Sequence, residues 1–178
     1  MVPMVSDSLL PPKAMKRYLM LLALLFVGMQ VASAQTLTQG SLVVLHGEEY
    51  VKVVADYSNA LIMDMTEEEF AEWEEDWYKD QPQIMSELIE EANDKLDGVL
   101  RLSRTRTTNY ILRWAVDWID ESGTIMSDFY LETASGEVLA VIENVKGKGG
   151  VFGTKLNLIK DGAEETGESL GEFIKREL

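Results

Sequence analysis

Between Tyr110 and Ile119 large apolar residues alternate with others: Tyr110, Leu112, Trp114, Val116 and Trp118 fall on one side of an extended strand, with Arg113 and Asp117 opposite. A strand patterned in this way must bury one face, and the chain that follows supplies partners for it. Asp120-Glu121-Ser122-Gly123 reads as a turn, Ile125 to Thr133 as a second strand, Ser135-Gly136 as a compact hairpin connection and Glu137 to Val145 as a third strand. Three such strands form an antiparallel meander, whose apolar face needs a second layer to cover it.

The flanking segments supply that layer. Thr66 and Glu69 have capping-box spacing, Met65 and Phe70 sit at hydrophobic-staple positions, and Phe70, Trp73 and Trp77 recur at i, i+3 and i+7 opposite a run of acids. This predicts a surface helix. Asp80 with Gln83 caps a second helix, tolerating Pro82 in its first turn and carrying Ile84, Leu88, Ala92 and Leu96 until Gly98. Asp161 and Glu164 cap a last helix with Ala163, Gly167, Leu170 and Ile174 on one face. Gly167 and Gly171 cost about 1 kcal/mol each relative to alanine there, which fits close approach to the sheet.

Two further runs, Leu42 to Leu45 and Tyr50 to Ala55, flank His46-Gly47-Glu48-Glu49 and read as a strand pair or one long bent strand. After a loop with four glycines between Lys146 and Gly153, Thr154 to Lys160 reads as a short edge strand. The expected fold is therefore α+β: an antiparallel β-meander in a mixed sheet, packed by two consecutive helices and a C-terminal helix as a two-layer sandwich.

Lys16 and Arg17 precede an eleven-residue apolar run, Leu19 to Met29, and Ala32-Ser33-Ala34 places small residues where signal peptidase inspects them. Residues 15–34 are expected to be a signal peptide cleaved after Ala34, residues 1–14 a non-native extension before Met15, and residues 35–178 a single secreted domain. An apolar helix of that length spans about 16 Å against the ~30 Å of a bilayer's hydrocarbon. No cysteine follows to carry a lipid, so no stable membrane anchor is expected and the location is periplasmic or secreted.

Taking the three basic and one acidic residues before Gln35 away from the formal charge of −15 leaves −17 on the remainder. Such a field repels phosphate backbones, which argues against nucleic acid as a partner. Without cysteine there is no disulfide framework, zinc–thiolate site or thiol nucleophile. His46 is the only histidine and lies in a turn, and no stretch matches the alternating calcium loop, so no metal and no cofactor is expected. The order Gly153-Thr154-Lys155 differs from the Gly-Lys-Ser/Thr of a phosphate-binding loop, and no serine lies in a nucleophile elbow. Carboxylates are so numerous that sequence alone assigns none a catalytic role.

One charge feature departs from the acidic background. Arg101, Arg104, Arg106 and Arg113 crowd into thirteen positions, and Lys146, Lys148 and Lys155 flank the glycine-rich loop. Where the two groups converge, Arg101, Arg104, Arg106, Lys146 and Lys148 would form a positive patch for an acidic protein or an anionic envelope component. Otherwise they neutralise the acidic helices in exposed pairs.

Val53-Val54-Ala55-Asp56-Tyr57-Ser58, the Thr66-Glu67-Glu68-Glu69-Phe70 helix start and Ser135-Gly136-Glu137-Val138-Leu139-Ala140 resemble a group of small exported Bacteroidetes proteins of unknown function. Gly149-Gly150-Val151-Phe152-Gly153 and Gly167-Glu168-Ser169-Leu170-Gly171-Glu172-Phe173 complete the pattern. The order of elements is also similar to the periplasmic domain of curli secretion lipoproteins and to the TolB amino-terminal domain. These resemblances imply a fold and carry over no catalytic residues. Two functions follow as expectations: a non-enzymatic accessory or binding module acting through loops and an edge strand, or an envelope hydrolase acting through paired carboxylates. Intact-mass measurement of the exported protein should find Gln35, free or cyclised, at the amino terminus, and retention of residues 15–34 would overturn the expected export.

Overall fold

A computed structural model describes residues 35–178; the expected extension, signal peptide and cleavage site fall outside the described residues. In chain order the elements are β1 (Thr36–Gly40), a 3₁₀ turn (Leu42–Leu45), β2 (Tyr50–Asp56), β3 (Leu61–Ile62), α1 (Glu67–Trp73), α2 (Trp77–Leu96), β4 (Arg101–Ser103), β5 (Tyr110–Ile119), β6 (Ile125–Thr133), β7 (Val138–Gly147) and α3 (Lys155–Glu177). The fold is α+β. Seven strands form one mixed sheet in the order β1-β7-β6-β5-β2-β4, with β3 pairing β5 off that path. No helix among the described residues is long and apolar enough to cross a membrane.

The meander forms as expected, β5 against β6 and β6 against β7, all antiparallel. Its inward face buries Leu112, Trp114, Val116, Phe129 and Leu131. Trp118 departs from the alternation. A register shift between Val116 and Trp118 turns it outward, where it is 37% exposed, because one extra residue in a strand reverses the facing of those beyond it.

The helices keep their apolar faces but not all their expected ends. Thr66 and Glu69 make the capping box, the Thr66 N–H reaching Glu69 Oε2 at 2.9 Å and the Glu69 N–H reaching Thr66 Oγ1 at 3.3 Å. The Thr66 N–H, with the Thr66 hydroxyl also donating to Oε2, holds the Glu69 carboxyl below the usual carboxylate range. α1 stops at Trp73, so the aromatic series splits: Trp77 opens α2 and is fully buried, while Trp73 is exposed. Because α2 starts at Trp77 and not at Asp80, Pro82 lies inside it; Asp80 pairs instead with Lys160 at 2.9 Å.

Two expected strands are helical. Leu42–Leu45 forms the 3₁₀ turn, capped by the Ser41 hydroxyl accepting from the Val43 N–H, because Leu42 and Leu45 bury at i and i+3 while Val43 and Val44 stay exposed. Thr154–Lys160 is the cap and opening of α3, where Thr154 Oγ1 accepts from the Asn157 N–H at 3.3 Å. Leu156 and Ile159 extend the apolar face of Ala163, Leu170 and Ile174 backwards, leaving Asp161 and Glu164 inside the helix and not at its cap.

α2 and α3 lie parallel and in register: Asp80 meets Lys160, Leu88 meets Gly167, Ala92 meets Gly171, and Asp97 meets Lys175. The glycines serve this helix–helix contact, and α3 covers the meander at Gly147, whose missing Cβ would lie 2.0 Å from the Gly162 carbonyl oxygen. A Cβ on Gly167 would sit 2.2 Å from the Leu88 carbonyl oxygen. Beneath them an aromatic knot closes the core: Trp77 meets Phe70 and Tyr57 edge-on at 5.1 and 5.2 Å, and Tyr57 meets Trp114 at 5.8 Å.

Leu170→Ala, at a position with no exposed surface, should destabilise by about 2–5 kcal/mol. Gly167→Ala should also destabilise, by more than the ~1 kcal/mol that alanine gains in helix propensity. Urea midpoints of the two variants measure both effects, and wild-type midpoints would contradict the packing of α3.

Candidate binding site at the open edge of the sheet

The five cations of the expected patch divide between two ends of the sheet. Arg101 pairs with Tyr50 on β4, with Arg104 and Arg106 in the chain just after it; Lys146 pairs with Met126 on β7, with Lys148 in the following loop. Four strand spacings, about 19 Å, separate β4 from β7. Along β5 the Lys52 side lies at Ile111 whereas the Met126 side lies at Trp118, roughly 23 Å further on. The register holds the two groups apart.

Among the described residues none of the five has a carboxylate within ion-pair distance, while Lys95, Arg113, Lys160 and Lys175 do. Arg106 stacks on Tyr50 at 4.8 Å. Lys148 borders a hollow of about 310 Å³ whose other walls include Glu91, Asp161, Glu164 and Glu168. Arg104 donates from Nη1 to the Pro82 carbonyl at 2.7 Å and to Ser86 Oγ at 3.1 Å, both neutral acceptors.

Arg104 also stands at a break in the sheet. β4 accompanies β2 only from Tyr50 to Lys52, because the Ser103 hydroxyl accepts from the Thr105 and Arg106 N–H groups and turns the chain away. β5 continues beside β2 as far as Asp56. Residues 53–56 therefore have a strand on one side only. The Arg101 N–H bonds the Glu49 carbonyl on the β4 side, and residues two apart direct their backbone groups the same way, so Ala55 presents its N–H and C=O where β4 has ended.

A cavity of about 340 Å³ runs along this stretch, between Val53, Ala55 and Tyr57 of the sheet and Tyr78, Pro82 and Met85 of α2, with Arg104 at one end. A second hollow of about 390 Å³ shares Arg104 and continues past Ser86 and Asn93 beside Leu102. Asn93 holds α2 to β4, exchanging two bonds with the Leu102 backbone at 2.7 and 3.0 Å. Glu67 ties α1 to α2 from above, accepting from Gln81 Nε2 at 2.6 Å and Trp77 Nε1 at 3.3 Å. The Tyr57 hydroxyl is buried with no hydrogen-bond partner among the described residues, and burial, with the nearby Glu67 charge, pushes its pKa up. Sequence reading reached Arg104 through charge density and the β2 segment through its β-rich composition. It missed that β2 is left open, which depends on where β4 stops.

The opposite sheet face is solvated. Arg113 spans Asp56 at 3.2 Å and Glu132 at 2.8 Å and lies over the Tyr130 ring at 4.3 Å. The Ser58 hydroxyl and N–H, with Arg113, hold the Asp56 carboxyl below its ordinary range against partial burial. Asp117 is raised by partial burial and by Asp128 and Glu143 beside it. Among the described residues no group of three or more histidine or acidic side chains is placed to hold a metal ion.

No family model and no curated protein matches this chain. Solved structures of the PelC dodecamer from Paraburkholderia phytofirmans are similar to it at 14% identity and a TM-score of 0.40, covering 77% of this chain and 95% of that one. A second crystal form gives 13% identity and a TM-score of 0.38, covering 77% and 96%.

A raised carboxyl pKa means that the fold favours the neutral form, so the contribution of Asp117 is greatest below its unfolded value and is lost as pH rises through its folded one. Asp117→Asn should therefore stabilise the protein at pH 7, by on the order of 0.5 kcal/mol after solvent screening, and leave it unchanged near pH 3. Thermal melts at the two pH values check the sign.

Proposed function

We propose that this protein is a non-enzymatic accessory module of the bacterial envelope, periplasmic or secreted, which takes an extended segment of a partner protein at the open edge of β2. The observation that carries the reading is the one-sided stretch at residues 53–56 beside the cavity under α2. An added strand would complete the backbone pairing of Ala55 and send alternate side chains into that cavity, the pairing mode of β-strand addition. The motifs shared with small exported Bacteroidetes proteins support placing the chain with them, and its acidic charge with no nucleic-acid signature supports a protein partner over DNA or RNA.

The second reading is an envelope hydrolase using paired carboxylates. What favours it is Glu164, raised by burial and by Glu87 and Asp161, at the wall of the acidic hollow. That hollow is lined by half-buried acids of α2 and α3, with Lys148 beside them. Binding at the sheet edge accounts for the open backbone, the cavity and the unpaired arginine together, so it is preferred.

Selection of a displayed random-decapeptide library on the protein, followed by hydrogen exchange of the Ala55 amide, tests the binding reading. Enriched peptides should slow exchange at Ala55, and Ala55→Pro, which removes that donor, should abolish enrichment while keeping a cooperative melt. Enriched ligands that leave Ala55 exchange unchanged, or hydrolysis of envelope glycan lost in Glu164→Gln, would displace it.

A further inference from the structure

We infer that Arg104 is the specificity residue of this edge and receives a carboxylate from the end of the incoming strand that abuts β4. The inference rests on the edge-binding reading and adds the chemistry of the partner. In a chain of net charge −15, Arg104 has no acidic partner among the described residues. Glu90 and Asp94 border the second hollow with it, and neither reaches ion-pair distance. Among the described residues only its Nη1 is engaged, by the Pro82 carbonyl and the Ser86 hydroxyl, which anchor the guanidinium by one corner beside the cavity. The remaining nitrogens form the edge that accepts a carboxylate through two parallel bonds.

Position makes the charge selective. β4 ends at Ser103, so the first residue of an added strand lies in line with β4 and next to Arg104 whichever way the strand runs. Arg101 and Arg106 lie toward the other face of the sheet, Arg101 alternating with buried Leu102 and Arg106 resting over Tyr50, so of the three arginines Arg104 is the one that meets the cavity. Beyond that end, the walls offered by Val53, Met85 and Pro82 are apolar. The partner is thus an extended peptide with an acidic residue at its end and an apolar side chain one or two positions further in.

Two labelled, end-blocked hexapeptides of alternating valine and threonine, one with aspartate added at both ends and the other with asparagine, test this by fluorescence anisotropy together with Ala55 hydrogen exchange. The aspartate peptide should bind about tenfold more tightly, and Arg104→Gln should remove that difference while leaving the asparagine peptide unaffected. Arg104→Lys should keep part of it, since the charge remains and the fork is lost. Equal affinities for the two peptides with Ala55 protected by both would refute the role of Arg104 and leave edge binding standing. Failure of either peptide to protect Ala55 would refute the edge itself. Thermal melts of the Arg104 variants confirm that folding is retained.

Discussion

Gly167 and Gly171 let α3 lie with its backbone against the carbonyls of Leu88 and Ala92, and this contact joins two helices distant in sequence into one layer. Helices that approach so closely have little freedom to slide, since almost any side chain at Gly167 would occupy the space of a backbone oxygen. Ion pairs follow the same seam: Lys160 with Asp80, Lys95 with Glu168, Lys175 with Asp97. They fix register more than they add stability, being mostly solvated. The fused pair covers the inner face of the meander, and the aromatic knot of Phe70, Tyr57, Trp77 and Trp114 fills the space where α1, α2 and the sheet meet.

The open edge is a consequence of that arrangement. α2 is held over the β2–β4 side by Asn93 at one end and by the aromatic knot at the other, so the cavity between Pro82 and Val53 has a fixed roof. On the sheet side a single hydroxyl, that of Ser103, bends the chain out of β4 after three residues. Exposed edges invite pairing, and proteins commonly blunt them with charge or brevity. Among the described residues that line the cavity Arg104 is the only charged one, so the approach to Ala55 is guarded by a single cation.

The acidic composition acts on the same surface from a distance. Carboxylates crowd the helices and the solvated sheet face, and two are held above their ordinary range by partial burial and neighbouring acids, Glu164 on α3 beside Glu87 and Asp161, and Asp117 on β5 beside Asp128 and Glu143. A positive corner on such a molecule has value only where its cations are not already neutralised, which is the case for Arg101, Arg104 and Arg106 and contrasts with Arg113, spent between Asp56 and Glu132. Charge density along the sequence treats the four arginines alike. The fold separates them, because Arg113 sits on a strand flanked by acid-bearing neighbours and the others sit at its rim.

Periodicity was sufficient for the meander, for the capping box at Thr66 and Glu69 and for the apolar faces of the long helices, because each depends on neighbours within a few residues. It failed at Leu42–Leu45 and Thr154–Lys160, where short apolar runs suit either period and burial of Leu42, Leu45, Leu156 and Ile159 settled the matter. Local patterning and composition sufficed for an acidic α+β chain with three meander strands, no cysteine and an arginine cluster around the start of β5. It took the assembled sheet to show that β2 lies between β5 and a strand too short to cover it, that Lys146 and Lys148 stand at the far corner, and that Arg104 overlooks a cavity under α2. The open stretch of β2 comes from pairings between segments about fifty or more residues apart, whose register is set by the packing of the whole sheet against its helices and by no local spacing, and Arg104 reaches Pro82 of α2 across 22 residues.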